Sequence, residues 1–147
     1  MLIFKKTIEV RWSDIDANCH VTHTAYASFG TDTRVEWMNS LGWSVTRLFE
    51  LGFNGVLLKE ETEYHREIVL GEKVVVELLL AGYSIDHARW KFVHNIYKSN
   101  HKLAAKHTVY GAWINAATRK IKPPPRALAH QLEKLPKMSG FEILKAL

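Results

Sequence analysis

A single cysteine, Cys19, stands in the whole chain, so no disulfide can close within it and no cysteine-based zinc site can be assembled. A lone cysteine is an ordinary small packing residue, and Cys19 is read as one rather than as a nucleophile. No apolar run approaches the roughly 18 residues that a membrane-spanning helix needs. The start, Met1-Leu2-Ile3-Phe4-Lys5-Lys6, lacks a basic head followed by a long apolar stretch and does not read as a secretory signal. These absences make a cytoplasmic location and no membrane span the expectation. Runs of four or more basic residues are missing, as are the common nucleic-acid signatures and an aromatic-basic platform. The formal charge of +5 suits a small polyanion about as well as a nucleic acid, and no nucleic-acid partner is expected. His65, His87, His94, His101, His107 and His130 show no metal-ligand spacing on a common helix face, so no metal is expected.

What is present fits one globular domain. At 147 residues a single core can bury most of the apolar surface, and 47% apolar with 24% charged residues is ordinary for such a protein. Residues 3–12 alternate: Phe4, Ile8, Val10 and Trp12 share one face, and Lys5, Thr7, Glu9 and Arg11 the other, which reads as a half-buried strand. Residues 13–24 read as a loop. Residues 25–41 carry Tyr26, Phe29, Thr33, Trp37 and Leu41 at helical spacing, with small residues at Ala25, Ala27, Ser28, Gly30 and Thr31. Thr22 or Thr24 can cap this helix and Gly42 can end it. A short helix follows over 44–51, then strands over 56–68, 74–83, 88–97 and 103–116, joined by short turns. Pro123-Pro124-Pro125 stops the sheet, a short helix covers 126–135, and the tail is expected to be loosely held. Short turns demand antiparallel neighbours, so the expected fold is α+β: a five-stranded antiparallel sheet with one long helix, the core spanning about 3–130 and a tail about 131–147.

The richest segment is Arg11-Trp12-Ser13-Asp14-Ile15-Asp16-Ala17-Asn18-Cys19-His20-Val21-Thr22-His23-Thr24-Ala25-Tyr26. It sets two carboxylates and two imidazoles just before a helix. A helix start offers unpaired N–H groups and the positive end of the helix dipole, which can hold the oxyanion of a polarised carbonyl. A carboxylate beside them can attack that carbonyl or activate a water that does. The same residue types also serve as ordinary caps and loop hydrogen-bonders, and spacing alone does not separate the two uses.

Asp14-Ile15-Asp16, His20-Val21, His23 and Tyr26, followed by Arg34-Val35-Glu36, resemble the entry segment of the 4-hydroxybenzoyl-CoA thioesterase family. Glu63-Tyr64-His65-Arg66 through Leu70-Gly71-Glu72 resembles the family's second strand and turn, and residues 110–125 resemble its last strand and exit. The resemblance spans roughly residues 5–130. It implies a hot-dog fold, in which the sheet wraps around the long helix, and homodimers or homotetramers with active sites at the subunit interface. It also implies acyl-coenzyme A thioester hydrolysis with Asp16 as the essential carboxylate, acting as general base or nucleophile. Asp14 would be structural, the backbone N–H of His23 or Thr24 would form the oxyanion hole, and the His23 side chain would help orient water or the carbonyl. Two positions depart from the family. Cys19 stands where glycine is usual, and because glycine takes positive φ freely, the turn is expected to differ here. Thr31 stands where some members carry a supporting glutamate.

The substrate's phosphates call for cations, and Arg89, Lys91, Arg119 and Lys120, with Lys98, Lys102, Lys122 and Arg126, are the candidates. Tyr26, Phe29 and Trp37 are the candidate lining for the acyl group. Coenzyme A is part of the substrate, and no separate cofactor is expected. The thioester carrier is either coenzyme A or an acyl-carrier protein. The alternative from another class is a non-catalytic binder of the same thioesters; a dehydratase of the same fold would pair its aspartate and histidine in a local context this chain lacks.

Overall fold

The computed structural model describes residues 3–145. Strand β1 (Phe4–Glu9) leads through a single 3-10 turn (Trp12–Asp14) to helices α1 (His23–Ser40) and α2 (Val45–Glu50). Strands β2 (Phe53–Tyr64), β3 (Lys73–Ser84), β4 (Arg89–Tyr97) and β5 (Leu103–Asn115) follow, and then α3 (Arg126–Glu133) and β6 (Lys137–Leu144). The five strands β1 to β5 lie in the order β1-β3-β4-β5-β2, each antiparallel to its neighbour, as the short turns require. Among the described residues no helix is long and apolar enough to cross a membrane.

Two local expectations are corrected. Residues 137–144 are not a loose tail: β6 pairs parallel with β3 at Leu80 and at Gly82 to Ser84, beyond the stretch that β1 covers. β1 and β6 thus share one edge of β3. The approach needs a glycine, since a Cβ at Gly82 would stand 2.7 Å from the Glu142 carbonyl oxygen, and Phe141 packs edge-on to Tyr83 at 5.1 Å. Nor does Trp12 continue the apolar face of β1. The Val10 N–H leaves the ladder for the Glu72 carbonyl at 3.0 Å, the chain coils, and Trp12 ends up 78% exposed.

Helix α1 buries the stripe its spacing predicts: Tyr26, Phe29, Thr33 and Trp37, with Ala25 and Gly30. Toward its start, Tyr26 and Phe29 join Val74, Val76 and Ile96; toward its end, Trp37 joins Trp90, Phe92 and Trp113. Between these apolar clusters runs a polar seam formed by His94 and His107, both fully buried, on neighbouring strands. Gly30 sits on it, and a Cβ there would meet the His107 ring at 3.0 Å and the His94 ring at 3.3 Å.

The seam fixes a tautomer. A guanidinium can only donate, so His94 Nε2 accepts from Arg34 Nη1 at 3.1 Å and the Nδ1–H donates to the His107 carbonyl at 2.9 Å. Burial, with the Arg34 charge adding to it, holds the His94 imidazole down to about 3. Burial also lowers His107, whose Nδ1 meets the Thr62 hydroxyl at 2.6 Å.

A folded-state value below the free one means that protons favour the unfolded chain. The stability tied to these imidazoles is full above about 6.5 and is lost as pH falls through the window below it. Stability against urea is therefore expected to fall between pH 6.5 and 5, above the carboxylate range, by up to about 1.4 kcal/mol per pH unit per buried histidine. His94→Gln should flatten that slope. A wild-type profile already flat over this window would contradict the assignment.

Candidate active site

The segment before α1 folds as a miniature hairpin. Ile15 and Val21 form an antiparallel bridge, the Asp16 N–H donates to the His20 carbonyl at 2.9 Å, and the Asp16 carbonyl accepts the Cys19 N–H at 3.0 Å. Asp16 Oδ1 accepts the N–H of Asn18 at 2.8 Å and of His20 at 3.4 Å, an Asx-type turn that pins the carboxylate by one oxygen. Oδ2 has no hydrogen-bond partner among the described residues, and the side chain is half-buried. Cys19 adopts φ 63°, so the turn keeps the left-handed geometry glycine would supply. The expectation that this turn would differ is corrected: the cysteine takes on the strain instead.

Asp14 does other work. It is buried, its Oδ2 accepts the Arg11 N–H at 2.9 Å, and its carbonyl accepts the Thr22 N–H at 2.7 Å. These bonds tie the hairpin to the helix entry.

Helix α1 begins at His23 with Thr22 in the capping position, and no side-chain cap bond is made there. The backbone N–H groups of His23 and Thr24 have no acceptor among the described residues. Asp16 and His23, the first residue of α1, line one recess of about 380 Å³ together with His20, Tyr26, Tyr64 and Arg66 among others. Tyr26 is buried in its wall, edge-on to Tyr64 at 5.1 Å. Burial, then the charges of Tyr64, Asp16 and Glu72, push its hydroxyl up to about 12, so it stays a neutral O–H group. His20 pairs with the Glu67 carboxylate at the rim. A half-buried carboxylate, the start of a helix and a neutral hydroxyl thus line one recess.

The four leading cation candidates lie elsewhere in the chain. Arg89 opens β4 opposite Ala112. Lys91 reaches Glu142 at 3.1 Å and sits 4.8 Å above the Tyr110 ring. Arg119 occupies the turn after β5 at φ 61°, and the Lys120 carbonyl accepts the Asn115 N–H at 2.9 Å in the same turn. None of them lines the Asp16 recess. The arginine there is Arg66, whose Nη1 donates to the Leu103 carbonyl at 2.7 Å. An adjoining hollow of about 500 Å³ brings Lys98 and Lys102 beside it. Sequence reasoning passed over Arg66 as a site residue, although it ends the Glu63-Tyr64-His65-Arg66 segment that marks the close of β2. Among the described residues no group of three or more His, Cys, Asp or Glu side chains is placed to hold a metal ion.

A second cavity, of about 410 Å³, opens between α1, α2 and the other end of β2. Its walls are aromatic: Trp37, Trp43, Phe53, Trp90, Phe92 and Trp113. Of the three aromatics expected to line an acyl site, Trp37 lines this cavity, Tyr26 lines the Asp16 recess, and Phe29 is core. Two glycines seat the tryptophans: a Cβ at Gly111 would stand 2.2 Å from the Trp90 ring, and one at Gly55 would stand 3.1 Å from Trp113.

Residues 10–132 match the thioesterase-like superfamily. The chain belongs to that superfamily. Its architecture, a long helix on an antiparallel sheet, is the hot-dog fold of these thioesterase-like proteins. A hypothetical protein from Staphylococcus aureus, solved in complex with coenzyme A, superposes with a TM-score of 0.82 at 25% identity, covering 99% of this chain and 96% of that one. A 1,4-dihydroxy-2-naphthoyl-CoA thioesterase from Synechocystis gives a TM-score of 0.82 at 18% identity, over 90% and 97% of the two chains. A thioesterase from Thermus thermophilus, complexed with coenzyme A and zinc, gives 0.73 at 23%, over 89% and 91%. No curated protein sequence matches the chain. The match is to the thioesterase-like superfamily as a whole, a broader group than the 4-hydroxybenzoyl-CoA thioesterases that the entry segment resembles.

The strained turn gives a direct check. Because position 19 has positive φ, Cys19→Gly should be more stable than Cys19→Ala by about 1 kcal/mol, read from paired urea denaturation curves. Equal stability, or a more stable alanine variant, would mean the turn is not held in this conformation.

Proposed function

We propose that this protein hydrolyses acyl-coenzyme A thioesters to the free acid and coenzyme A. The observation that carries the reading is that Asp16, with Oδ2 unbonded among the described residues, shares one recess with His23, the residue that opens α1. The thioester carbonyl oxygen would sit on the N–H groups of His23 and Thr24, where the helix dipole and two aimed donors favour negative charge. Asp16 Oδ2 would take a proton from water as the water oxygen bonds to the acyl carbon. The C–S bond then breaks, and the departing thiolate recovers a proton. We favour this base role over a mixed anhydride because two backbone N–H groups already hold Oδ1, leaving one oxygen to exchange a proton. The His23 imidazole, exposed at the recess mouth, would help orient the water.

Arg66 and Lys102 are the nearest candidates for the phosphates within one chain, and Arg89, Lys91, Arg119 and Lys120 would serve from another copy. The coenzyme A seen on the Staphylococcus aureus and Thermus proteins supports this class of ligand.

The proposed assembly uses β2. It is the outer strand of the sheet, twelve residues long, with Leu57 and Leu58 exposed near its middle, and an open edge of that length can pair with another chain. Antiparallel pairing of β2 with its own copy about a two-fold axis would set Tyr64 of one chain toward residues 53–57 of the other. The Asp16 recess of one copy would then face the aromatic cavity of the next, a composite site that takes the acyl group. Within one chain His23 and Arg34, which lines that cavity, are eleven residues apart on α1, about 16 Å along the axis, so a small acyl group does not bridge them.

A free-thiol release assay over acyl-coenzyme A esters, short to long and aliphatic to aromatic, tests the reading. Turnover is expected, with at least a ~100-fold loss in Asp16→Asn and an unchanged circular dichroism spectrum. Near-normal turnover in the variant would remove Asp16 from the chemistry, and silence on every ester would remove the activity.

A further inference from the structure

The aromatic cavity has an uneven charge. Among the described residues its wall contains two arginines, Arg34 and Arg119, and no acid. Arg119 stands in an exposed turn, where water can solvate it. Arg34 is different. It is half-buried on α1, Nη1 donates to His94 Nε2 at 3.1 Å, and Nη2 donates to the Thr31 hydroxyl at 3.2 Å. Both acceptors are neutral, and among the described residues no carboxylate lies within ion-pair distance of the guanidinium. Burial pulls its affinity for the proton down to about 10, with the charge of Glu60, acting from beyond ion-pair distance, opposing that shift. A guanidinium taken partly out of water without a counter-ion is unfavourable, and an anion arriving beside it removes that penalty.

The arginine is also aimed. The His107 carbonyl fixes the His94 tautomer so that Nε2 faces the guanidinium as an acceptor, and Gly30 lets α1 sit low enough for the contact. Two of the five N–H donors are thereby occupied, and the remainder of the fork is left to a ligand. His94 is a positioning residue in this arrangement.

Resting on the reading that this cavity takes the acyl group, we infer that the preferred acyl group ends in a carboxylate, which Arg34 binds at the end of the aromatic cavity remote from the thioester. Stacked aromatic walls would hold the body of the acyl group, and the guanidinium fork would select its terminus.

Two matched pairs of coenzyme A thioesters test this: benzoyl against 4-carboxybenzoyl, and octanoyl against 7-carboxyheptanoyl. In at least one pair kcat/KM is expected to favour the carboxylate-bearing ester by about 10-fold to 100-fold, the range for a charge-assisted hydrogen bond. That ratio should collapse toward one in Arg34→Met and be partly kept in Arg34→Lys. The same pairs as non-hydrolysable thioethers, titrated against tryptophan fluorescence, read binding without turnover, since Trp37, Trp43, Trp90 and Trp113 line the cavity. Hydrolysis with no carboxylate preference in either pair would overturn this inference and leave the proposed activity standing. Carboxylate-selective binding without hydrolysis would do the reverse. An unchanged ratio in Arg34→Met, with fewer dimers, would assign Arg34 to the contact between copies and overturn the inference.

Discussion

The close seat of α1 on the sheet at Gly30 sets the position of everything else. With no side chain at that point the helix rests directly on the rings of His94 and His107, and any larger residue would have to push them aside. That contact divides the core into two apolar clusters, one at each end of the helix. It also fixes the helix along its length. The N-terminus is held beside the Asp16 hairpin, and Arg34 is held against the His94 ring. Burial holds both imidazoles toward the neutral form, and each keeps a hydrogen bond, so a polar seam is tolerated where hydrocarbon would otherwise be expected.

From this one placement the two halves of a site follow. At the N-terminal end, the helix start, without a side-chain cap, shares a recess with a carboxylate anchored through a single oxygen. At the other end, large aromatic side chains enclose an apolar space because Gly55 and Gly111 give their rings room against the strands. The strand joining the two ends is β2, whose outer edge is open. The chain separates its polar recess from its apolar cavity and leaves one edge of the strand between them open, which is the arrangement the proposed pairing with a second copy would use.

Much of the fold was legible in the sequence because its signals were local. Alternation over residues 4–9 and the Tyr26-Phe29-Thr33-Trp37 stripe report burial on one face, and burial there is what the fold delivers. Asp16 stood out by its place before a helix together with its family resemblance, and its bonds separate it from the buried, structural Asp14. The failures were non-local. Trp12 continued an alternation after the backbone had left the ladder for Glu72. β6 gained its partner only through a close approach at Gly82. Arg89, Lys91, Arg119 and Lys120 were chosen by charge and order, which do not report where a twisted sheet carries them. The distinctive property of Arg34 is the absence of an acid beside it, and that is visible only once the chain is folded.

In the proposed composite site, Asp16 of one copy would act on an acyl group held in the aromatic cavity of another. Mixing two inactive homodimers tests this most directly: Asp16→Asn, which lacks the carboxylate, and Met38→Trp, which fills the cavity. After subunit exchange the mixed dimer would carry one intact composite site, so thiol release should return to roughly a quarter of the wild-type rate at equal total protein. A mixture that stays as inactive as its parents, with mixed dimers demonstrated by mass spectrometry, would contradict the shared site.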